Sequence, residues 1–202
     1  TLTTLMEMIL NDEDIPEDCF IRHTEEGIDI ICSNIGLAGT DVQLVNAMSR
    51  EFVLKQILSR VKDKYDVILL DCMPSLGMLT INALAASDEV LIPVEASYLP
   101  IKGLQQLLRT IGKVRRQINP KLHIMGILFN LVDVQTKDAR NNMEQLRQAY
   151  GSQIHVFHSF IPFSVRMKEA AREGQSIFKY DPKGKVAMAY MNSVKEAFEN
   201  VR

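Results

Sequence analysis

Three absences narrow the classes of protein to which this sequence can belong. Its three cysteines, Cys19, Cys32 and Cys72, form no C-x-x-C pair and no metal-ligand spacing, and their odd number suits a reducing cytosol. The 23 Lys and Arg are matched by 25 Asp and Glu, so any contact with nucleic acid requires a local basic patch. No apolar run approaches the roughly 18 residues that a membrane-spanning helix needs.

Short apolar runs alternate with segments of helical periodicity along the chain. Apolar residues form 47% of its 202 residues, which is enough for a sizeable core. The pattern predicts strands over 28–32, 65–71, 89–94, 124–131 and 154–160. It predicts helices over 1–10, 49–63, 76–86, 102–118, 137–150, 164–173 and 184–201. This alternation favours an α/β fold in which a mostly parallel sheet carries helices on both faces.

One carboxylate ends the most apolar of these runs. Val67–Leu70 is followed by Asp71 and then by a turn that contains Pro74 and Gly77. An unbroken apolar run is typical of a strand buried on both faces, and the carboxyl end of such a strand is where open α/β sheets bind ligands. In P-loop nucleotide hydrolases an Asp at this place holds the hydration shell of a magnesium ion. The alternative is an Asp that caps the helix starting near Leu76.

Five segments of the chain resemble the ParA/Soj family of chromosome- and plasmid-partition ATPases, which are deviant-Walker P-loop proteins. The segments, whose order and spacing also fit that family, are Tyr65–Asp88, Val90–Tyr98, Lys102–Leu108, Ile161–Ala170 and Gly174–Phe178. The resemblance implies a Rossmann-like P-loop fold that binds ATP with Mg²⁺. Asp71 would then hold magnesium through water, while residues 72–77, including Pro74, would sense the γ-phosphate and press on a second copy of the chain.

The resemblance also implies an adenine-binding segment. Asn130 ends the predicted strand 124–131, where its amide can both donate to and accept from the purine edge. A turn-forming Asn fits this position equally well. Pro162 and Phe163 resemble the segment that flanks the adenine ring, although the family more often has a basic residue at position 163.

The phosphate-binding loop with which the family begins, Lys-Gly-Gly-x-Gly-Lys-[Ser/Thr], has no counterpart in this sequence. The pair Gly36 and Gly39 is not followed by Lys and Ser or Thr. We therefore expect residues 1–202 to be a single ParA-type ATPase domain that is incomplete at its N-terminus and lacks the strand beside 65–71. These residues by themselves are not expected to hydrolyse ATP.

Family membership further implies a nucleotide-switched homodimer, non-specific DNA binding, a ParB-like partner that stimulates hydrolysis, and a cytoplasmic, nucleoid-associated location. Lys and Arg neutralise phosphates without reading base sequence. The candidate DNA-binding residues are Arg140, Arg147, Arg166, Lys168 and Arg172. Any one of them also fits an ordinary solvated helix face, and the helix with Lys102, Arg109 and Arg116 is the next surface to consider.

Two other functions compete with this interpretation. A MinD-like membrane regulator would need a basic amphipathic C-terminal helix. The last predicted helix has Val186, Tyr190, Val194 and Phe198 on one face and no polybasic cluster, which favours a helix that covers the core. The third possibility is a non-catalytic scaffold that has lost its nucleotide site.

Overall fold

Two units, each with an apolar core of its own, make up the part of the chain that the structure describes. The computed structural model describes residues 1–16, 20–96 and 101–200. The helical unit comprises residues 1–88 and 106–122, and the sheet unit comprises residues 89–105 and the chain from residue 123 onward. No helix among the described residues is both long and apolar enough to cross a membrane.

The helical unit surrounds a core that includes Leu5, Met6, Leu44 and Ile57. Its helices are α1 (Leu2–Leu10), α2 (Leu37–Leu44), α3 (Val53–Ser59), α4 (Met78–Ala86) and the C-terminal part of α5 (Ile101–Gln117). Short 3₁₀ turns occur at Arg50–Phe52 and Lys62–Lys64, and β1 (Arg22–His23) pairs antiparallel with β2 (Asp29–Ile30). The predicted helices are therefore present, whereas the pattern missed α2 and overestimated the strand at 28–32.

The sheet unit contains three parallel strands in the order β3-β4-β5. These are β3 (Glu89–Glu95), β4 (His123–Val132) and β5 (Val156–Pro162). The helices of the unit are α6 (Lys137–Tyr150), α7 (Val165–Arg172), α8 (Ile177–Tyr180) and α9 (Lys185–Asn200). Buried Leu128, Phe157 and Ile161 form its core together with Val186 of α9. A parallel sheet flanked by helices confirms the predicted α/β class.

The predicted buried strand at 65–71 is wrong for this structure. The segment has no strand hydrogen bonding, and Val67 and Leu69 are 53% and 90% exposed. A strand buries its backbone only when neighbouring strands satisfy its N–H and C=O groups. No described strand lies beside this segment, so its backbone has no ladder partner and stays at the surface.

The predicted apolar face of the last helix is only partly buried. Val186 is 5% exposed in α9, but Val194 and Phe198 are 47% and 56% exposed. Burial is concentrated on Val186, Ala187 and the neighbouring polar Ser193. The helix therefore packs on the sheet unit through its first two turns and through small or polar contacts farther along.

Candidate functional site

Residues 71–77, the loop that follows the exposed apolar run, are fixed by hydrogen bonds within the helical unit. Asp71 and Pro74 are both exposed, and Asp71 makes no hydrogen bond to any described residue. The amide of Ser75 donates to the carbonyl of Met73 at 2.8 Å, and the hydroxyl of Thr80 donates to the carbonyl of Ser75 at 2.7 Å. These bonds fix the turn while leaving the Asp71 carboxylate accessible to a ligand.

Asp41 caps the helix that begins after this loop. Helix α4 has Gly77 at its N-cap and no acidic residue in its first turn, so its own sequence supplies no capping side chain. The Asp41 carboxylate, on α2, accepts from the amide of Leu79 at 2.8 Å. A carboxylate here satisfies a helix N–H and interacts favourably with the helix dipole.

The sequence pattern gives no indication of Asp41 and instead offers Asp71 as the possible cap of this helix. The structure assigns the cap to Asp41, which leaves Asp71 without that structural role. One local signal indicates that such a cap exists. The helix begins with Gly-Met-Leu, which contains no capping side chain, so a cap from elsewhere in the chain is expected. Which residue supplies it depends on the packing of α2 against α4.

Cys72 is the only thiol in this loop, and its surroundings make it unreactive. Cys72 is exposed, but partial desolvation of its sulfur, followed by the negative charge of Asp71, raises the pKa of the thiol. A raised pKa reduces the thiolate fraction that a nucleophile needs. This agrees with the prediction that Cys72 is an inert turn residue.

A second set of predicted residues meets at the carboxyl ends of β4 and β5. Val132 pairs with Pro162, and the amide of Phe163 donates to the carbonyl of Val132 at 3.0 Å. Asn130 lies two residues before Val132 and pairs with Glu95 of β3. The sheet unit therefore brings Asn130, Pro162 and Phe163 to one edge of its sheet.

Asn130 shapes the backbone at this edge. Its side-chain oxygen accepts from the amide of Leu131 at 2.9 Å, and Leu131 has a left-handed φ of 52°. A branched residue with positive φ is held there only by its surroundings. The amide oxygen of Asn130 thus serves the turn, while its NH₂ group remains available as a donor.

Phe163 is 50% exposed, and a neighbouring cation lies over its ring. The ammonium of Lys168 lies 4.9 Å from the ring centroid, within the range of a cation–π interaction. A positive charge therefore lies beside position 163, where the resemblance leads one to expect a basic residue.

The predicted DNA-binding cations differ in how they are engaged. Arg140 donates to the carbonyl of Val134 through Nε and Nη2, at 3.1 and 2.8 Å. Arg147 donates to the carbonyl of Phe157 at 3.1 Å, and its guanidinium lies 5.4 Å from the centre of the Phe129 ring. Both arginines therefore stabilise the sheet unit itself.

The three basic residues of α7 do not form one stripe. Arg166 lies 3.8 Å from the carboxylate of Glu169, with its own side chain 64% exposed. Lys168 and Arg172 are separated by one helical turn and share a face, whereas Arg166 projects about 160° away from Lys168. Only Lys168 and Arg172 are thus placed to act together.

The Asp71 carboxylate is a suitable ligand for a magnesium ion, but no set of described side chains surrounds it to complete the coordination. Among the described residues, no three His, Cys, Asp or Glu side chains cluster in a way that could hold a metal. Mg²⁺ usually keeps several waters and is bound by one or two carboxylates together with substrate phosphates. One exposed carboxylate meets that requirement. The glycine pair offers no phosphate cradle, because Gly36 is the N-cap of α2 and Gly39 lies within that helix.

Comparison with known proteins places the chain in a family. The family described as an AAA domain matches residues 1–124. The sporulation initiation inhibitor protein Soj of Bacillus subtilis is 39% identical over 194 residues, which cover 96% of this chain and 76% of Soj. The chromosome partitioning protein ParA of Myxococcus xanthus is 39% identical over 189 residues, covering 93% of this chain and 65% of ParA.

A solved structure supports the same fold. The cobyrinic acid a,c-diamide synthase of Mycobacterium smegmatis, with bound ATP analogue and magnesium, superposes with a TM-score of 0.74 at 28% identity. The match covers 87% of this chain and 74% of the synthase.

Proposed function

Because the chain belongs to the ParA/Soj family of P-loop ATPases, we propose that it acts in an ATP-dependent partitioning protein of a chromosome, plasmid or mobile element. The observation that carries this proposal is the loop 71–77. It presents one accessible carboxylate and is held by Asp41 and Thr80. The similarity to Soj over nearly the whole chain supports the same conclusion.

Asp71 would hold magnesium through water. A magnesium ion held there would supply positive charge that stabilises the negative charge developing on the phosphates during hydrolysis. The protein's part is to keep the carboxylate accessible and the loop in place. The cap of α4 by Asp41 and the bond from Thr80 to Ser75 do this directly.

Asn130, Pro162 and Phe163 would bind the base. The NH₂ group of Asn130 can donate to a ring nitrogen of adenine, while its oxygen holds the turn at Leu131. The ring of Phe163 and the neighbouring Pro162 provide apolar surface at the same edge of the sheet.

Partner binding follows from family membership. We propose that ATP binding drives homodimer formation, that the dimer binds DNA non-specifically on the nucleoid, and that a ParB-like protein stimulates hydrolysis. Lys168 and Arg172, with Arg166 nearby, are the exposed cations of α7 that would contact phosphates. Arg140 and Arg147 would support that surface through their contacts within the sheet unit.

ATP hydrolysis by the protein as its gene encodes it tests the nucleotide site. We expect Asp71→Ala to abolish magnesium-dependent turnover, because the carboxylate that orients the ion is removed, while the circular dichroism spectrum stays that of the wild type. Asp66→Ala is the matched control. Asp66 is exposed in the same segment and is expected to have no role in turnover. Near wild-type turnover in the Asp71 variant would contradict the proposed function.

A further inference from the structure

Helix α5 carries a row of exposed cations that the proposed nucleotide site does not use. Arg109, Lys113 and Arg116 follow one another at spacings of four and three residues, which places them within about 60° of one another on the helix. All three are exposed. The helix sequence, IKGLQQLLRTIGKVRRQ, contains five basic residues and no acidic residue.

None of the three side chains forms an ion pair or hydrogen bond with another described residue. Three of the five cations predicted from sequence are more engaged: Arg140 and Arg147 bind backbone carbonyls, and Arg166 lies beside Glu169. A cation without an intramolecular partner remains available to bind an external anion. In the part of the chain that the structure describes, α5 is therefore better prepared than α6 to bind phosphate.

Helix stability does not account for this row of charges. Cations at the end of a helix interact favourably with its dipole, but that effect is confined to the last turn, which here contains Arg115 and Arg116. Arg109 and Lys113 lie before it. Like charges one turn apart repel each other and destabilise a helix, and a bound polyanion would relieve that repulsion.

The rest of the helix surface indicates which polyanion fits. Ile111 and Val114 are 2% and 3% exposed, so the apolar face of α5 is already buried and cannot enter a lipid surface. The exposed face adds only polar side chains such as Gln106 and Gln117, and it lacks the apolar or aromatic anchors of protein interfaces. Lys, Arg and Gln are the residue types that contact DNA phosphates.

We propose that the row Arg109, Lys113 and Arg116, the α5 stripe, is the principal surface through which the protein binds duplex DNA without sequence preference. This inference rests on the proposed function and specifies its DNA contact. From the first to the last residue of the row the helix rises about 10.5 Å, which corresponds to about three nucleotide steps along one strand at about 3.4 Å each. The stripe therefore matches a short run of phosphates on one strand.

Binding of the full chain to a labelled duplex of about 30 base pairs of random sequence, measured by fluorescence anisotropy with ATP and Mg²⁺ between about 50 and 200 mM salt, tests the proposal. The test variant is Arg109→Gln/Lys113→Gln. The matched control, Lys179→Gln/Lys183→Gln, removes the same charge from two exposed side chains that are also four residues apart and that the proposed function does not use. Because the α5 variant neutralises two fewer phosphates, its slope of log affinity against log salt should flatten by about 1.8.

We expect affinity at about 50 mM salt to fall at least about tenfold for the α5 variant and less than about threefold for the control, alike on unrelated duplexes. Thermal unfolding of each variant checks that the fold is intact. Should the double variant unfold, the single variants Arg109→Gln and Lys113→Gln keep the test decisive, since each should flatten the slope by about 0.9.

Three results would overturn the inference: an α5 variant with wild-type affinity and slope, an equal loss of affinity in the control, or equally strong binding of polyglutamate or of anionic vesicles. Where the wild type binds DNA and the α5 variant binds equally well, the proposed function stands and only the location of the surface is wrong. Where the wild type binds no DNA even at the lowest salt, the inference fails, and ATP binding measured in parallel shows whether the nucleotide site survives without it.

Discussion

Glu196 of α9 is predicted to contribute more to the stability of the sheet unit than the exposed carboxylate of Glu199 on the same helix. The Glu196 carboxylate accepts from the backbone amides of His158 and Ser159, at 2.7 and 2.9 Å, and lies 3.1 Å from Nε2 of His155. The two successive amides are available because β5 bulges here. Between the pairs Ile127↔Val156 and Phe129↔Phe160, β5 has three residues opposite one of β4.

The expected loss of stability follows from the backbone amides of His158 and Ser159, which the substitution leaves without their acceptor. The Glu196 side chain is 15% exposed, and a hydrogen bond to a charged group contributes about 1.5–3 kcal/mol. Partial access of water to His158 reduces the penalty, so Glu196→Ala should lower the free energy of unfolding by about 2–3 kcal/mol. Glu196→Gln keeps one acceptor and should lower it by about 1–2 kcal/mol.

Urea denaturation followed by circular dichroism near neutral pH measures these differences. Glu199→Ala is the matched control, because Glu199 is exposed on the same helix, and it should change the free energy of unfolding by less than about 0.5 kcal/mol. If the Glu196 and Glu199 variants proved equally stable, the carboxylate would not be holding the bulge and the reasoning would be refuted.

The pH dependence of this contribution has a defined sign. Burial alone would raise the pKa of Glu196, but hydrogen bonds from the amides of Ser159 and His158 outweigh it and lower the pKa below its ordinary value of 4.5. A lowered folded-state pKa stabilises the protein above the unfolded-state pKa, and that stability is lost as the pH falls through the folded-state value. The difference between wild type and Glu196→Gln should therefore be present above the ordinary pKa of 4.5 and shrink as the pH falls below it. A difference that persists unchanged at about pH 3.5 would contradict this.

Two further substitutions test the site itself. Gly77→Ala would place a Cβ 2.6 Å from Oδ2 of Asp41 and displace the cap of α4, which should destabilise the protein by about 1 kcal/mol in thermal unfolding. Gly39→Ala, whose Cβ would meet nothing within 4 Å inside α2, should instead stabilise it by about 0.5–1 kcal/mol, and the same sign for both would contradict the clash. Asn130→Ala should weaken the binding of ATP more than that of free triphosphate in competition experiments, because only ATP has a base for Asn130 to contact. Equal weakening would show that Asn130 serves the turn alone.

Local sequence pattern was sufficient for much of the architecture. The spacing of Leu104, Ile111 and Val114 predicted α5, and all three are buried. The apolar runs that became β3, β4 and β5 were recognisable because these strands pair with each other. The central strand β4 is buried over a continuous run, whereas Leu91 of β3 is 42% exposed. Similarity of sequence, rather than pattern, identified the family.

What the sequence alone could not decide depends on partners distant along the chain. Val67–Leu70 is as apolar as the true strands, yet it stays exposed, because a strand forms only where a neighbour satisfies its backbone. The Asp41 carboxylate accepts a hydrogen bond from the amide of Leu79, 38 residues later in the sequence. The Glu196 carboxylate accepts from two amides of the β5 bulge, 38 and 37 residues earlier. Periodicity reports which face of an element is apolar; tertiary packing alone brings these carboxylates to amides that would otherwise be unsatisfied.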